Sequence, residues 1–108
     1  LRSGDPQYSS ANPEELIAAA HAGCFTMALS GQLGAANLVA DQLATTATVT
    51  MEKLDAGWTV TGIHLDVRGK VPKADTAAWE KATTAAKTGC PISRLLNTTI
   101  TMDAKLES

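Results

Sequence analysis

Residues 12–29 read Asn-Pro-Glu-Glu-Leu-Ile-Ala-Ala-Ala-His-Ala-Gly-Cys-Phe-Thr-Met-Ala-Leu, and the fold turns on how this stretch is read. Asn12 stands where an N-cap belongs, Pro13 at the first helical position, and Glu15 three residues past the cap. That is a capping box, and Glu14 and Glu15 also complement the positive end of a helix. Leu16, Ile17, Ala20, Cys24, Met27, Ala28 and Gly31 recur at three- and four-residue spacing. They predict one apolar face of a long helix ending near Gly34. Ala18, Ala19, Ala22 and Gly23 keep the other faces thin, as suits a helix that another helix approaches closely.

Ahead of this helix, Gly4, Asp5, Pro6, Ser9 and Ser10 make residues 1–11 an irregular lead-in. Behind it the apolar period falls from 3.6 to 2 at about Ala44. Ala47, Val49 and Met51 alternate with threonines and Glu52, giving a half-buried strand. Asp55-Ala56-Gly57 supplies a turn. A second strand carries Trp58 and Val60 in one phase and Ile63, Leu65 and Val67 in the other, with a bulge at Gly62 absorbing the slip. Pro72 closes the hairpin.

Asp75 caps a second helix that buries Trp79, Ala82, Thr83 and Ala86, runs to about Lys87 and ends at Gly89. Cys90-Pro91 opens a short third helix, Ile92 to Leu96, capped by Asn97. Ile100, Met102, Ala104 and Leu106 alternate in a last strand. The order of elements predicts an α+β domain with an antiparallel sheet packed on a long central helix. The chain does not begin with Met and opens in a loop, so strands upstream, or a partner, are expected to complete the sheet.

Composition narrows the function. Nineteen alanines and fourteen threonines stand against four aromatics, Tyr8, Phe25, Trp58 and Trp79. A core so poor in bulky side chains gains from burying surface against a second copy, so a homodimer is expected. Nine basic residues, scattered within a net charge of −2, form no stripe for a nucleic-acid backbone. No apolar run reaches the ~18 residues of a membrane span, and the first residues do not resemble a signal peptide. Two cysteines are too few for a disulfide scaffold. The expectation is a soluble protein of a reducing compartment, the cytoplasm, with no nucleic-acid or membrane partner.

A helical cysteine is ordinarily a small buried hydrophobe. Two features set Cys24 apart: its neighbours are tiny, and the second cysteine, Cys90, sits at an N-cap, where helix-end amides favour a thiolate. One internal and one N-cap cysteine suit a pair in which one attacks and the other resolves. Spacing alone does not bring them together. A zinc site competes, with His21 and Cys24 on one helical face and His64 and Cys90 completing four ligands. Against it, the chain lacks Cys-x-x-Cys knuckles, and His64 points opposite to Ile63 and Leu65. Phosphate loops, hydrolase elbows and His-Glu-x-x-His motifs are absent from the sequence.

Asn12-Pro13-Glu14-Glu15-Leu16, Ala19-Ala20-His21-Ala22-Gly23-Cys24-Phe25 and Cys90-Pro91-Ile92-Ser93 together resemble the OsmC/Ohr family, nearest its osmotically inducible OsmC branch. The resemblance covers about residues 10–108 and implies a single OsmC-like domain, residues 1–108, lacking the family's N-terminal strands. It implies an intertwined homodimer with two active sites at the subunit interface. The implied activity is a thiol-dependent peroxidase that reduces organic hydroperoxides, without a cofactor and with a dithiol reductant, lipoyl-type or a small thiol. Cys24 would be the peroxidatic thiol and Cys90 the resolving thiol. Glu14 would hold an essential arginine, for which Arg2 is the candidate by position. The alternative is a non-enzymatic ligand-binding or interaction module on the same fold, with Cys24 inert.

A thiol attacks an O–O bond as thiolate, and free cysteine has a pKa of ~8.5, so a cation is needed to lower it. A guanidinium suits this best, because it stays charged and can hold sulfur, peroxide and carboxylate together. Glu14 and Cys24 are ten residues apart, ~15 Å along a straight helix. One arginine can serve both only if the helix kinks or breaks between Ala19 and Cys24, or if the two groups come from different subunits.

Overall fold

A computed structural model describes residues 13–107. Arg2, Asn12 and the lead-in 1–11 lie outside the described residues. The α+β architecture is as expected: α1 (Pro13–Ala35), β1 (Gln42–Leu54), β2 (Gly57–Lys70), α2 (Thr76–Gly89), α3 (Pro91–Leu95) and β3 (Thr99–Glu107). The strands form one sheet in the order β1-β2-β3.

β1 and β2 make the expected hairpin. It turns through Asp55 and Ala56, and Gly57 takes a φ of 121°, a conformation side chains rarely adopt. The bulge falls one residue before Gly62: Thr50 faces Gly62 while Met51 faces Val60, leaving Thr61 as the extra residue. The third strand corrects the all-antiparallel sheet. β3 pairs parallel with β2, from Gly62 opposite Thr99 to Lys70 opposite Glu107. A parallel neighbour needs a crossover, and α2 and α3 are that crossover. Helical residues between two strands carry the chain back to the end of β2 from which β3 must start.

Periodicity placed α2 and β3 well. Trp79, Ala82, Thr83 and Ala86 are the buried residues of α2, and the Asp75 carboxylate accepts from Ala78 N–H at 2.7 Å as its cap. Along β3, Ile100, Met102, Ala104 and Leu106 are half-buried and the residues between them exposed. At the end of α3 the capping residue is Leu96, not Asn97.

The face of α1 is a second correction. Its buried side chains are His21, Phe25, Leu29 and Leu33, whereas Leu16 is 52% and Met27 78% exposed. Apolar residues occur all round this helix, so spacing could not choose among its faces. The core selects the bulkiest stripe. Phe25, Leu29 and Leu33 meet Ile63, Leu65 and Val67 of β2 and Trp79 and Ala86 of α2 in one cluster that also holds Cys90. A stripe of Leu16, Ala20, Gly23, Met27 and Gly34 stays exposed, with nothing within 4 Å of the space in front of Gly23 or Gly34.

The expected shortage of membrane-length segments also needs correcting. By length and composition α1 is apolar enough to cross a bilayer, and 22% of that segment is buried. It is nevertheless anchored in the core by four side chains and packs on β1, α2 and α3. Of the kink or break expected between Ala19 and Cys24, the break is not there: α1 runs uninterrupted from Pro13 to Ala35.

Candidate active site

Cys24 lies in the middle of α1, half-buried. Cys90, fully buried, joins the end of α2 to the start of α3. Its N–H donates to Ala86 O at 2.9 Å and its C=O accepts from Arg94 N–H at 3.0 Å, so both helices fix its backbone. Pro91 suits the first helical position because an N–H there would have no intrahelical acceptor. Packing of α1 on α3 closes the 66 positions between the cysteines: both are free thiols, and they lie near enough for each to shift the other's ionisation.

The two sulfurs are not equivalent. Burial pushes the Cys24 thiol up, and its contact with Cys90 adds to that, against a smaller opposing pull from Ile92 N–H. Burial also pushes Cys90 up. There, however, the Cys24 thiol, the N–H groups of Ser93 and Ile92 and the Ser93 hydroxyl outweigh it, and the net direction is down. The Cys90 side chain makes no capping hydrogen bond to α3, so these groups act on it as nearby dipoles. The two thiols act on each other's ionisation, and the contacts around Cys90 favour its thiolate more than those around Cys24 do. The guanidinium meant to lower Cys24 belongs to Arg2, outside the described residues.

His21 precedes Cys24 by three positions and is fully buried. Its Nε2 lies 2.7 Å from the Ser93 hydroxyl oxygen, and burial lowers its pKa, which keeps the ring neutral near neutral pH. Ser93 therefore sits between a buried imidazole and a buried sulfur. Spacing treated His21 as a packed residue or a zinc ligand, and Ser93 only as part of a motif. The available signal was Ser93 standing three residues beyond an N-cap cysteine, where side chain and N–H can both turn back toward the cap.

The zinc set does not assemble. His64 Nδ1 is 2.7 Å from the Thr101 hydroxyl on the exposed side of the sheet. Among the described residues no three His, Cys, Asp or Glu side chains are grouped to hold a metal. Glu14 is half-buried in the first turn of α1, ten residues before Cys24 in an unbroken helix.

The family described as OsmC-like protein matches residues 4–105. The chain belongs to the OsmC-like family. This OsmC-like chain is 46% identical over 97 residues to a peroxiredoxin OsmC of Escherichia coli (strain K12), spanning 90% of the chain and 68% of that relative. The same figures hold for peroxiredoxin OsmC of Shigella flexneri. An OsmC-like protein of unknown function from Vibrio cholerae superposes with a TM-score of 0.82 at 18% identity, over 96% of this chain and 75% of that one. The organic hydroperoxide resistance protein OhrB of Bacillus subtilis superposes with a TM-score of 0.72 at 22% identity, over 97% and 79%. At such identities the two solved structures speak for the OsmC-like fold alone.

Proposed function

We propose that this chain is a cysteine-based peroxidase that reduces organic hydroperoxides to alcohols. The observation that carries the reading is the meeting of the Cys24 and Cys90 thiols, in a chain 46% identical to proteins named peroxiredoxin. Cys24 is the sulfur a peroxide can reach, since Cys90 is fully buried. As Cys24 attacks, its proton passes to the Cys90 thiolate. An S–O bond forms, the O–O bond breaks, and the departing alkoxide takes the proton now on Cys90 and leaves as alcohol, which returns Cys90 to thiolate. Cys24 is then a sulfenic acid. The Cys90 thiolate attacks the Cys24 sulfur; an S–S bond forms, the S–O bond breaks, and the departing hydroxide takes a proton from solvent and leaves as water. A dithiol, lipoyl-type or small, reduces the disulfide. Ala28, one helical turn past Cys24, and Ile92, whose N–H acts on the Cys24 thiol, are apolar and favour an alkyl hydroperoxide over a small polar one.

The unbroken α1 bears on how Arg2 would take part. Ten residues of uninterrupted helix set the backbones of Glu14 and Cys24 ~15 Å apart, more than one arginine side chain spans. We therefore assign the carboxylate that holds the arginine at Cys24 to Glu14 of the partner subunit, in a homodimer. The exposed stripe of Leu16, Gly23 and Met27 supports such a dimer, because it is apolar and narrow enough for close approach of a second copy. Two free thiols fit a reducing compartment, the cytoplasm.

The test is to trap the intermediate. With one equivalent of an alkyl hydroperoxide, a Cys90→Ser variant accumulates sulfenic acid on Cys24, seen as a dimedone adduct in peptide mass spectrometry. Labelling no greater than in the peroxide-free control overturns the reading and returns the inert-module alternative.

A further inference from the structure

We propose that His21 is a positioning residue for Cys90: its Nε2–H fixes the Ser93 hydroxyl as a donor, and that hydroxyl holds the Cys90 sulfur. The argument begins with the imidazole. His21 is fully buried, its Nε2 is 2.7 Å from Ser93 Oγ, and its Nδ1 is buried without a hydrogen-bond partner among the described residues. A neutral ring carries one proton. On Nδ1 that proton would be an orphaned buried N–H, which folded proteins avoid more strictly than an orphaned acceptor. The proton therefore belongs on Nε2, where it is donated to Ser93 Oγ.

With its oxygen accepting from His21, the Ser93 hydroxyl has its own proton to give. Ser93 stands three residues past Cys90, the N-cap of α3, the spacing at which a side chain turns back toward the cap, so Cys90 Sγ is the recipient in reach; the Ser93 hydroxyl and N–H both pull that thiol's pKa down. All donors in the row then point one way, from imidazole to hydroxyl to sulfur, while the Cys24 thiol donates from the other side. The titratable groups that bear on Cys90 among the described residues are Cys24 and, through Ser93, His21, both from α1; α2 offers Cys90 a carbonyl, and α3 offers two N–H groups and the hydroxyl. A row directed in this way stabilises the thiolate and leaves the thiol alone. Among the described residues it favours the thiolate of one buried sulfur through neutral donors. Its use in resolving a sulfenate rests on the peroxidase reading; the positioning itself does not.

The test needs no peroxide. In a Cys24→Ser background Cys90 is the sole cysteine, and its ultraviolet thiolate absorbance is followed against pH. Ser93→Ala and His21→Leu are each expected to move the midpoint up by about one unit. His21→Gln, whose amide N–H can occupy the place of Nε2–H, is expected to restore it. Ser93 is half-buried on a short helix, so Ser93→Ala carries the test should His21→Leu not fold. An unmoved midpoint in Ser93→Ala overturns the proposal, as does a His21→Gln protein that titrates no lower than His21→Leu. Failure of the peroxidase reading shows separately, as absence of the sulfenate adduct.

Discussion

A Cys24→Ser protein is expected to consume alkyl hydroperoxide roughly a thousandfold or more slowly than the parent, in an assay coupled to a dithiol. The size follows from what is removed. Losing the nucleophile removes the step that breaks the O–O bond, and deletions of catalytic nucleophiles cost factors of that order or larger. Serine is close in size, and Cys24 is half-buried beside small residues, so the fold should tolerate the change. Circular dichroism and melting temperature are therefore expected to stay near those of the parent. Cys90→Ser separates the two sulfurs. It is expected to keep a single turnover of peroxide and lose sustained turnover, because the first sulfur is still oxidised but no longer resolved. An undiminished rate in Cys24→Ser would end the assignment of Cys24 as the attacking thiol.

The second large effect is structural. A methyl group placed on Gly69 would meet the Trp79 ring, with Cη2 in overlap and Cζ3 at 2.6 Å, and Leu43 Cδ2 at 3.0 Å. Trp79 is 2% exposed and belongs to the core cluster, so its ring has little room to retreat. Overpacking a core in this way costs about 1–3 kcal/mol. Gly69→Ala is expected at the upper end of that range and Gly69→Val beyond it, with Tm falling by about 10 °C or more for valine. Thermal unfolding followed by tryptophan fluorescence reads this directly. A Gly69→Val protein that melts with the parent would show that α2 can slide away from β2.

Much of the architecture was legible because local rules spoke with one voice. In α2, the cap at Asp75 and the apolar face through Trp79 and Ala86 agree, and both stand as read. β1 and β3 show strict alternation and fold as strands. Legibility ended where a choice depended on other elements. α1 is apolar on every side, so its spacing was equally compatible with a face through Met27 and one through Phe25, and only the bulk of Phe25, Leu29 and Leu33 against β2 decides. The direction of β3 is likewise a property of the crossover and not of the strand. At the site, the two cysteines and the Cys90-Pro91-Ile92-Ser93 run were visible, but which sulfur is the easier to ionise was not. That depends on the N–H groups of Ser93 and Ile92 and the Ser93 hydroxyl around Cys90, and the His21 contact with Ser93 spans 72 positions of sequence.

The parallel pairing of β3 governs when the chemistry becomes available. Cys24 and His21 lie on a helix near the start of the described chain, whereas Cys90 and Ser93 lie on the crossover that carries the chain from β2 to its parallel neighbour β3. A ribosome adding ~5–20 residues per second needs roughly 3–13 s to cover the 66 positions from one sulfur to the other. Through that interval the nascent chain displays a thiol without its partner sulfur. Contacts this far apart in sequence form late and together. The paired sulfurs are thus a mark of the finished fold, and a chain that stalls before the crossover docks carries an ordinary cysteine.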